Sequence, residues 1–218
     1  MSFGLSRGKT LDYEGFGLSR EDLPPFEDGR FDPQELFEYP ERRFELEIGS
    51  GKGTFLVQQA VLEPQTNFLG IEWAGEFFRY AADRIRRHNL SNVRMLHDDA
   101  TEFVNHRVPD ETCAVVHLYF SDPWPKKRHH KRRVVQDETL AQFHRILKPG
   151  GELRLVTDHD ELWQWYLEHA QRNAHLFEQM EFASPTSASE GEVVGSNFER
   201  KFQKEGRSFD ALVLRRIG

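Results

Sequence analysis

Apolar and polar positions along the chain follow two periods, one typical of strands and the other typical of helices. The short apolar runs predict strands at 44–48, 67–72, 93–96, 113–120, 152–156 and 209–217, the last paired with a segment near 177–182. Apolar positions at helical spacing predict helices at 54–63, 75–88, 139–147 and 161–177. Strand and helix alternate along most of the chain, which indicates an open α/β sheet with right-handed crossovers.

The first 40 residues lack this periodicity. They are rich in Gly and Pro, and they contain FGLSR twice, at 3–7 and 16–20. A match of this length is too short for a structural repeat. The pattern therefore predicts a partly irregular N-terminal arm over 1–40, followed by one α/β domain over 41–218.

The composition is that of a globular protein with a charged surface. Of the 218 residues, 38% are hydrophobic and 30% are charged. No apolar run approaches the roughly 18–20 residues that span a bilayer, and residues 1–15 lack the apolar core of a secretory signal. Cys113 is the single cysteine, so no internal disulfide forms, which fits a reducing compartment. The sequence thus predicts a cytoplasmic protein without a membrane segment.

A glycine-rich turn, GSGKG at 49–53, follows the first long strand and precedes a helix. A phosphate loop would need Gly at position 46 and Ser or Thr at position 53, where the chain has Leu46 and Gly53. A dinucleotide fingerprint would need Gly at position 54, where Thr54 stands. The remaining interpretation is a G-x-G-x-G turn for a nucleoside ligand without pyrophosphate, with Glu47 placed to meet a cationic amino-acid group.

Acidic residues also follow the next two strands. Glu72 ends one strand, where a carboxylate can accept both ribose hydroxyls, and Asp98-Asp99-Ala100 follows the other, where an acid can bind an adenine amino group. In open α/β sheets, ligands bind at the carboxyl ends of the strands. Acids at these successive strand ends favour S-adenosylmethionine over NAD, because carboxylates attract a cationic sulfonium and repel a pyrophosphate.

Two unlike segments follow the strand at 113–120: SDPWP at 121–125 and KKRHHKRR at 126–133. The two prolines stiffen the first segment, which should hold Asp122 at the sheet edge, with Trp124 either stacked on a base or packed on the core. The second carries six Lys or Arg in eight positions, although the net charge of the chain is −7. Such a run is either a solvated surface or a contact for a polyanion. Its two histidines lack a further Cys/His set, so no metal site is predicted.

Together these segments resemble the tRNA (guanine-N7)-methyltransferase family. The similar segments are ELEIGSGKG at 45–53, FLGIE at 68–72, HDDA at 97–100, SDPWPKKRHHKRR at 121–133, LKPGGELRLVTD at 147–158 and SNFERK at 196–201. The resemblance implies an α/β, Rossmann-like class I methyltransferase fold: a mostly parallel seven-stranded sheet with helices on both faces and an antiparallel C-terminal strand. It also implies methyl transfer from S-adenosylmethionine to N7 of a guanine in the tRNA variable loop.

The resemblance also implies roles for individual residues. With the glycines of the turn, the implied cofactor-binding set is Glu47, Gly49, Gly51, Gly53, Glu72, Asp99 and Asp122, and Asp122 is also the implied catalytic residue. The implied substrate-binding set is Lys126, Asp158, Ser196, Asn197, Phe198 and Glu199, in which Asn197 replaces the family's usual Lys or Arg. The basic run adds RNA-backbone candidates: Lys127, Arg128, Lys131, Arg132 and Arg133.

The residues leave two alternatives open: a class I methyltransferase that acts on another nucleic acid or a small molecule, and a non-catalytic RNA-binding module. Monomer and homodimer are both open as well. Guanine N7 carries a lone pair and no proton, so the implied reaction needs no general base and depends mainly on positioning. Asp122 would stabilise the charge that develops on the base, or hold the base edge or the cofactor's amino group.

Overall fold

The structure, a computed structural model, describes residues 10–25 and 29–218, so the first FGLSR copy at 3–7 lies outside the described residues. Within the described ranges the strands are β1 (Gly17–Ser19), β2 (Arg43–Ile48), β3 (Thr66–Ile71), β4 (Val93–His97), β5 (Cys113–Tyr119), β6 (Leu147–Thr157), β7 (Phe177–Met180) and β8 (Asp210–Arg216). The α-helices are α1 (Thr54–Leu62), α2 (Gly75–Arg87), α3 (Ala100–His106), α4 (Asp137–Ile146), α5 (Asp160–Arg172) and α6 (Asn197–Lys204).

All of these strands belong to one sheet, in the order β1-β4-β3-β2-β5-β6-β8-β7. The pairs from β1 to β6 are parallel, and β8 runs antiparallel to both β6 and β7. The predicted Rossmann-like sheet with an antiparallel C-terminal strand is therefore confirmed. The strand order reverses between β2 and β5, which is the position where open α/β sheets bind their ligands.

Neighbouring positions along a strand face opposite sides of the sheet, and the core divides accordingly. Leu69 and Leu96 pack in one apolar cluster with residues of α3, α4 and α5. Phe68 and Met95, each one residue earlier, pack in a second cluster with residues of α1 and α2. Helices thus cover both faces of the sheet, as the sequence predicts.

The sheet has one strand more than the seven expected, because the arm contributes β1. Residues 17–19 pair in parallel with residues 95–97 of β4. A Cβ at Gly17 would lie 2.9 Å from the Phe78 ring, so this edge strand packs closely only because position 17 is glycine. The Gly- and Pro-rich texture of residues 1–40 concealed this strand.

Two helices were not predicted, and some bounds differ. Helix α3 begins directly after Asp99, which caps it, and α6 begins after Ser196, whose hydroxyl accepts a hydrogen bond from the Glu199 amide. Strand β6 starts at Leu147 rather than Glu152, with an irregularity in its pairing to β5. Helix α5 ends at Arg172, five residues before the predicted end at 177. None of the helices among the described residues is long and apolar enough to cross a membrane.

Candidate active site

The carboxyl ends of the parallel strands surround two adjoining cavities. The first, called here the acid-lined cavity, has a volume of about 390 Å³. Its acidic lining residues are Glu72, Asp98, Asp99 and Asp122. The second cavity, of about 780 Å³, lies between the glycine turn and α6 and contains Glu47 in its wall. Five residues line both cavities and mark the boundary between them: Gly49, Phe77, Phe120, Asp122 and Phe198.

Glu47, near the end of β2, is a buried carboxyl group. Only 5% of its surface is exposed, and its Oε2 atom has no hydrogen-bond partner among the described residues. Burial raises the pKa of Glu47 to about 8; a hydrogen bond from Ser50 lowers it, and the negative charge of Glu72 raises it further. A buried carboxyl oxygen without a partner is suited to a cationic or hydrogen-bond-donating ligand.

The glycine turn after β2 uses its glycines for two purposes. Gly49, Gly51 and Gly53 have φ values of +75°, +54° and +65°, which side-chain-bearing residues rarely adopt. A Cβ at Gly49 would meet no atom within 4 Å, so the open space beside it is available to a ligand. A Cβ at Gly53 would lie 3.0 Å from the Cβ of Ala81, which means that Gly53 permits close packing of α2. Gly53 therefore serves the packing of the turn against α2 and not the binding of a ligand.

Glu72 follows β3 and is held by two backbone amides. Its carboxylate oxygens accept hydrogen bonds from the Gly51 and Ala74 amides, each at 2.8 Å. Burial raises the pKa of Glu72 despite these hydrogen bonds, and the charge of Asp122 adds to the rise. The next residue, Trp73, lines the same cavity with 72% of its surface exposed. The turn and Glu72 thus form one hydrogen-bonded unit at the strand ends.

The two aspartates after β4 have different roles. Asp99 Oδ1 accepts hydrogen bonds from the Thr101 and Glu102 amides and so caps α3. Asp98 is 5% exposed, and its Oδ1 lies 3.3 Å from Nε of Arg20, in the arm. The other oxygen of Asp98 is buried without a hydrogen-bond partner among the described residues. Asp98 is therefore as well placed as Asp99 to meet a ligand in the acid-lined cavity.

Asp122 lies on a strained loop after β5 and is exposed to solvent. Phe120 and Trp124, two residues on either side of it, have φ values of +54° and +44°, which are unfavourable for bulky side chains. The loop is fixed from both sides: the Ser121 hydroxyl lies 2.9 Å from the Tyr166 hydroxyl, and Arg133 Nε donates to the Pro123 carbonyl at 2.8 Å. The stiffness expected from the prolines is thus reinforced by side-chain contacts.

The basic loop, residues 126–132, contains a 3₁₀ helix over Lys127–Arg132. The lysines and arginines of this loop are exposed. The Arg132 guanidinium lies 4.9 Å from the centroid of the Trp124 ring, and the His129 ring meets the same indole edge-on at 5.8 Å. Trp124 thus packs against the basic loop while it lines the acid-lined cavity.

Arg133 differs from the other charges of the run. Its side chain is 1% exposed, donates to Glu161 at 2.8 Å and lies over the Trp165 ring. A buried guanidinium with these partners is turned away from any RNA backbone, so Arg133 is removed from the predicted backbone contacts. It fixes the loop instead.

The substrate-binding residues predicted at 196–199 separate into two groups. Asn197 and Phe198 are exposed at the start of α6, and a Cβ at Gly51 would lie 3.3 Å from the Phe198 ring. Glu199 is fully buried and accepts hydrogen bonds from the amides of Val193, Val194 and Gly195. The predicted substrate contact by Glu199 is therefore replaced by a structural one, because its carboxylate is used to fix the preceding loop.

Asp158, also predicted to bind substrate, follows β6 and pairs with Arg207 at 2.5 Å. Its side chain is 12% exposed. The structure does not place it in the lining of either cavity described above. Among the described residues there is no group of three or more His, Cys, Asp or Glu that would hold a metal ion.

Comparison with known proteins gives matches over most of the chain. Residues 41–212 match the family model Methyltransf_4, described as "Putative methyltransferase". The tRNA (guanine-N(7)-)-methyltransferase of Nitrobacter hamburgensis is 35% identical over 219 residues, or 98% of this chain and 86% of that protein. The protein of the same name from Agrobacterium fabrum is 34% identical over 94% of this chain and 90% of its own length.

Solved structures resemble the fold. The aminoglycoside resistance methyltransferase NpmB1 matches with a TM-score of 0.53 and 21% identity, over 81% of this chain and 88% of that one. A SAM dependent methyltransferase from Aquifex aeolicus matches with a TM-score of 0.51 and 14% identity, over 88% of this chain and 93% of its own. At these identities the likeness shows the shared fold alone.

Proposed function

Because the chain belongs to the tRNA (guanine-N(7)-)-methyltransferase family, we propose that it transfers a methyl group from S-adenosylmethionine to N7 of a guanine in the tRNA variable loop. The observation that carries the proposal is the position of Asp122, which lines both the acid-lined cavity and the second cavity. A group at this boundary can contact a donor on one side and an acceptor on the other.

The residues around the boundary of the two cavities fit S-adenosylmethionine. The buried, unpartnered oxygen of Glu47 suits the ligand's ammonium group, and the open space beside Gly49 leaves room for its amino-acid part. Glu72, Asp98 and Asp99 line the acid-lined cavity, where the first would accept the ribose hydroxyls and the aspartates would accept from the adenine amino group. When bound, S-adenosylmethionine supplies an electrophilic methyl group on a positively charged sulfur.

The chemistry of the acceptor places few demands on the protein. The N7 lone pair of guanine forms the new bond to the methyl carbon, the bond from that carbon to sulfur breaks, and its electrons remain on sulfur. No proton moves, so the protein needs no general base and contributes mainly through alignment, worth up to roughly 7–11 kcal/mol. The methylated imidazole ring becomes cationic, and the Asp122 carboxylate stabilises that developing charge.

The exposed charges of the basic loop provide the complementary contact to tRNA. They lie next to Trp124 and Arg132, which line the acid-lined cavity, so RNA phosphates held by the loop are close to the reacting groups. Each phosphate contact adds a salt-dependent share of the affinity. The proposal includes a cytoplasmic location, which the buried, unpaired Cys113 favours.

The direct test is incubation of the purified chain with methyl-labelled S-adenosylmethionine and an unmodified tRNA transcript. We expect label in the tRNA and chain cleavage at one variable-loop guanine after chemistry specific for N7-methylguanine. A matched transcript carries 7-deazaguanine at that position, which removes the acceptor nitrogen and should abolish labelling. Label that persists in the 7-deaza transcript, or label without N7-methylguanine, would contradict the proposed acceptor.

A further inference from the structure

The second cavity has a basic rim in addition to the residues of the predicted site. Arg200, Lys201 and Lys204 line it from one wall, and Lys52 lines it from the glycine turn. Glu47 and Asp122 line the same cavity and belong to the strand ends. The cavity therefore combines cations from α6 and the turn with acids from the carboxyl edge of the sheet.

The basic face of α6 is held in a defined orientation. Glu199 anchors one side of the helix through its hydrogen bonds to the loop at 193–195. Phe202 anchors a second side by packing edge-to-face on Phe120, with ring centroids 6.0 Å apart. Position 204 follows position 200 by four residues and position 201 by three, so the three positions share the remaining face of the helix. These contacts direct that face toward the cavity.

The two lysines of this face are exposed. Lys201 Nζ lies 3.9 Å from the Glu205 carboxylate, which is a loose contact with an exposed partner. Arg200, in contrast, is bound to Glu192 at 2.6 Å. The Lys52 ammonium lies 5.9 Å from the centroid of the Tyr80 ring. Lys201 and Lys204 are therefore the best-placed cations for an external anion, with Lys52 opposite them.

We infer that Lys52, Lys201 and Lys204 form a second RNA phosphate-binding surface, distinct from the basic loop at 126–132. The inference rests on the proposed function. Asp122 lies between the two surfaces. On one side of it, Trp124 and Arg132 line the acid-lined cavity, and on the other side the α6 lysines line the second cavity. A tRNA strand bound to both surfaces is held on each side of the target guanine, while the strand-end acids exclude phosphate from the cavity interior.

The test is tRNA binding by the double variant Lys201→Ala, Lys204→Ala over a series of salt concentrations. The loss of two phosphate contacts makes the slope of log K against log salt concentration less negative by about 1.4–1.8, which weakens binding about 25- to 60-fold at 0.1 M salt. Lys52→Ala, added to the double variant, should make the slope less negative still. The charge-retaining variant Lys201→Arg, Lys204→Arg should bind tRNA as the wild type does.

Lys148→Ala is the matched control, since Lys148 is an exposed lysine at the amino end of β6, on the edge of the sheet opposite the site. It should leave the slope unchanged. Suppose that the wild-type protein forms N7-methylguanine but the double variant shows an unchanged slope. That result overturns the inference and leaves the proposed function intact. Weaker S-adenosylmethionine binding by the double variant, measured by calorimetry without RNA, also overturns it, because the lysines would then serve the cofactor. Wild-type protein that forms no N7-methylguanine refutes the proposed function itself.

Discussion

The ends of β2 and β5, which are neighbouring strands, present their acids in opposite ways. Glu47 is part of β2, almost fully buried, and burial raises its pKa to about 8. Asp122 lies beyond β5 on an exposed loop, between two residues with positive φ. The pairing of β2 in the sheet fixes the position of Glu47, and the protonation of its carboxyl group depends on the neighbouring charges and on any bound ligand. For Asp122 the carboxylate is solvated and its position depends on the loop.

This difference separates two kinds of site residue. A buried acid such as Glu47 carries an energetic penalty for ionisation that a cationic ligand relieves, so it contributes to ligand recognition. A residue on a strained loop needs surrounding contacts to keep its geometry, because each non-glycine residue with positive φ costs about 1–3 kcal/mol. Changes at β2 should therefore alter pH dependence and cofactor binding, whereas changes around β5 should alter the alignment of Asp122.

The largest effect is expected from Asp122→Asn. The substitution keeps the shape of the side chain and removes the charge that faces the developing positive charge of the base. The rate of methyl transfer under saturating tRNA should fall by about 10²–10³-fold, comparable to the loss of one transition-state-stabilising group. Single-turnover kinetics measure it directly, and tRNA affinity should stay within about twofold of the wild type.

Asp110→Asn is the control for that change, since it makes the same chemical replacement just before the amino end of β5. Asp110 pairs there with Arg30 and Arg145. It should keep the wild-type rate even where it lowers the melting temperature. A rate for Asp122→Asn close to that of Asp110→Asn would remove Asp122 from the chemistry.

The second prediction concerns Glu47→Gln and the pH dependence of stability. The folded state retains a proton on Glu47 up to its raised pKa of about 8, whereas the unfolded state releases it near the ordinary glutamate pKa of 4.5. The stability contributed by this group is therefore greatest below pH 4.5 and falls by about 1.4 kcal/mol per pH unit until about pH 8. Glutamine has no proton to release, so the variant should gain stability relative to the wild type as the pH rises. Urea unfolding at pH 5.5, 6.5 and 7.5 measures the difference.

Glu45→Gln, two residues earlier on the same strand, should lack this pH dependence near neutral pH. Burial acts to raise the pKa of Glu45, but hydrogen bonds from His117 and Arg43 outweigh it and lower the pKa. Glu45 therefore contributes stability above its unfolded value of 4.5 and loses it as the pH falls below that value. Above pH 6.5 the lowered pKa of the buried His117, the partner of Glu45, keeps that imidazole largely neutral in both proteins, so the difference between Glu45→Gln and wild type should be nearly constant between pH 6.5 and 7.5. If Glu47→Gln is equally constant, burial does not hold the Glu47 proton.

Much of this contrast was predictable from the sequence, because strand ends follow from apolar runs. The runs at 44–48, 67–72 and 113–120 placed Glu47, Glu72 and Asp122 at the same edge of a parallel sheet. The α/β alternation then implied that this edge is the ligand-binding one. The local sequence pattern was sufficient to predict the position of a site residue wherever that position depended only on the residue's own strand.

The sequence did not reveal which like residues turn inward. Six Lys or Arg in one run look equivalent, yet Arg133 is buried because Glu161, 28 residues later, and the Trp165 ring lie beside it. Glu199 follows the family's substrate motif in sequence but binds three backbone amides of the preceding loop. Asp98 and Asp99 are adjacent, yet only Asp99 accepts hydrogen bonds from the Thr101 and Glu102 amides and caps α3. Such distinctions depend on tertiary contacts that no local pattern contains.

A smaller effect is expected from Arg133→Met, which tests whether Arg133 fixes the loop after β5 that carries Asp122. Methionine fills the buried space but loses the hydrogen bonds to the Pro123 carbonyl and Glu161. Because Glu161 is half exposed and stays solvated, the loss should be about 2 kcal/mol in unfolding free energy, as for a hydrogen bond to a charged group. The rate of methyl transfer should fall with it, because Asp122 loses its alignment.

Arg132→Met is the matched change at the neighbouring, exposed position. Its cation–π contact with Trp124 contributes about 0.5 kcal/mol, so stability should barely change, while tRNA affinity and its salt dependence should fall. Equal losses of stability in the two variants would contradict the distinction drawn between the buried and the exposed arginine.

The smallest effect is expected from Tyr166→Phe, which removes one hydroxyl that contacts the same loop. The Tyr166 hydroxyl is buried and lies 2.9 Å from that of Ser121, next to Asp122. The exposed side of Ser121 can rehydrate, so the loss of stability should be about 1 kcal/mol, as for a neutral hydrogen bond. Because the backbone of Phe120 and Trp124 remains held by Arg133, the rate of methyl transfer should fall only a few-fold, with cofactor affinity unchanged. A rate loss as large as that of Arg133→Met would mean that Ser121, rather than the Pro123 carbonyl, is the main attachment of the loop.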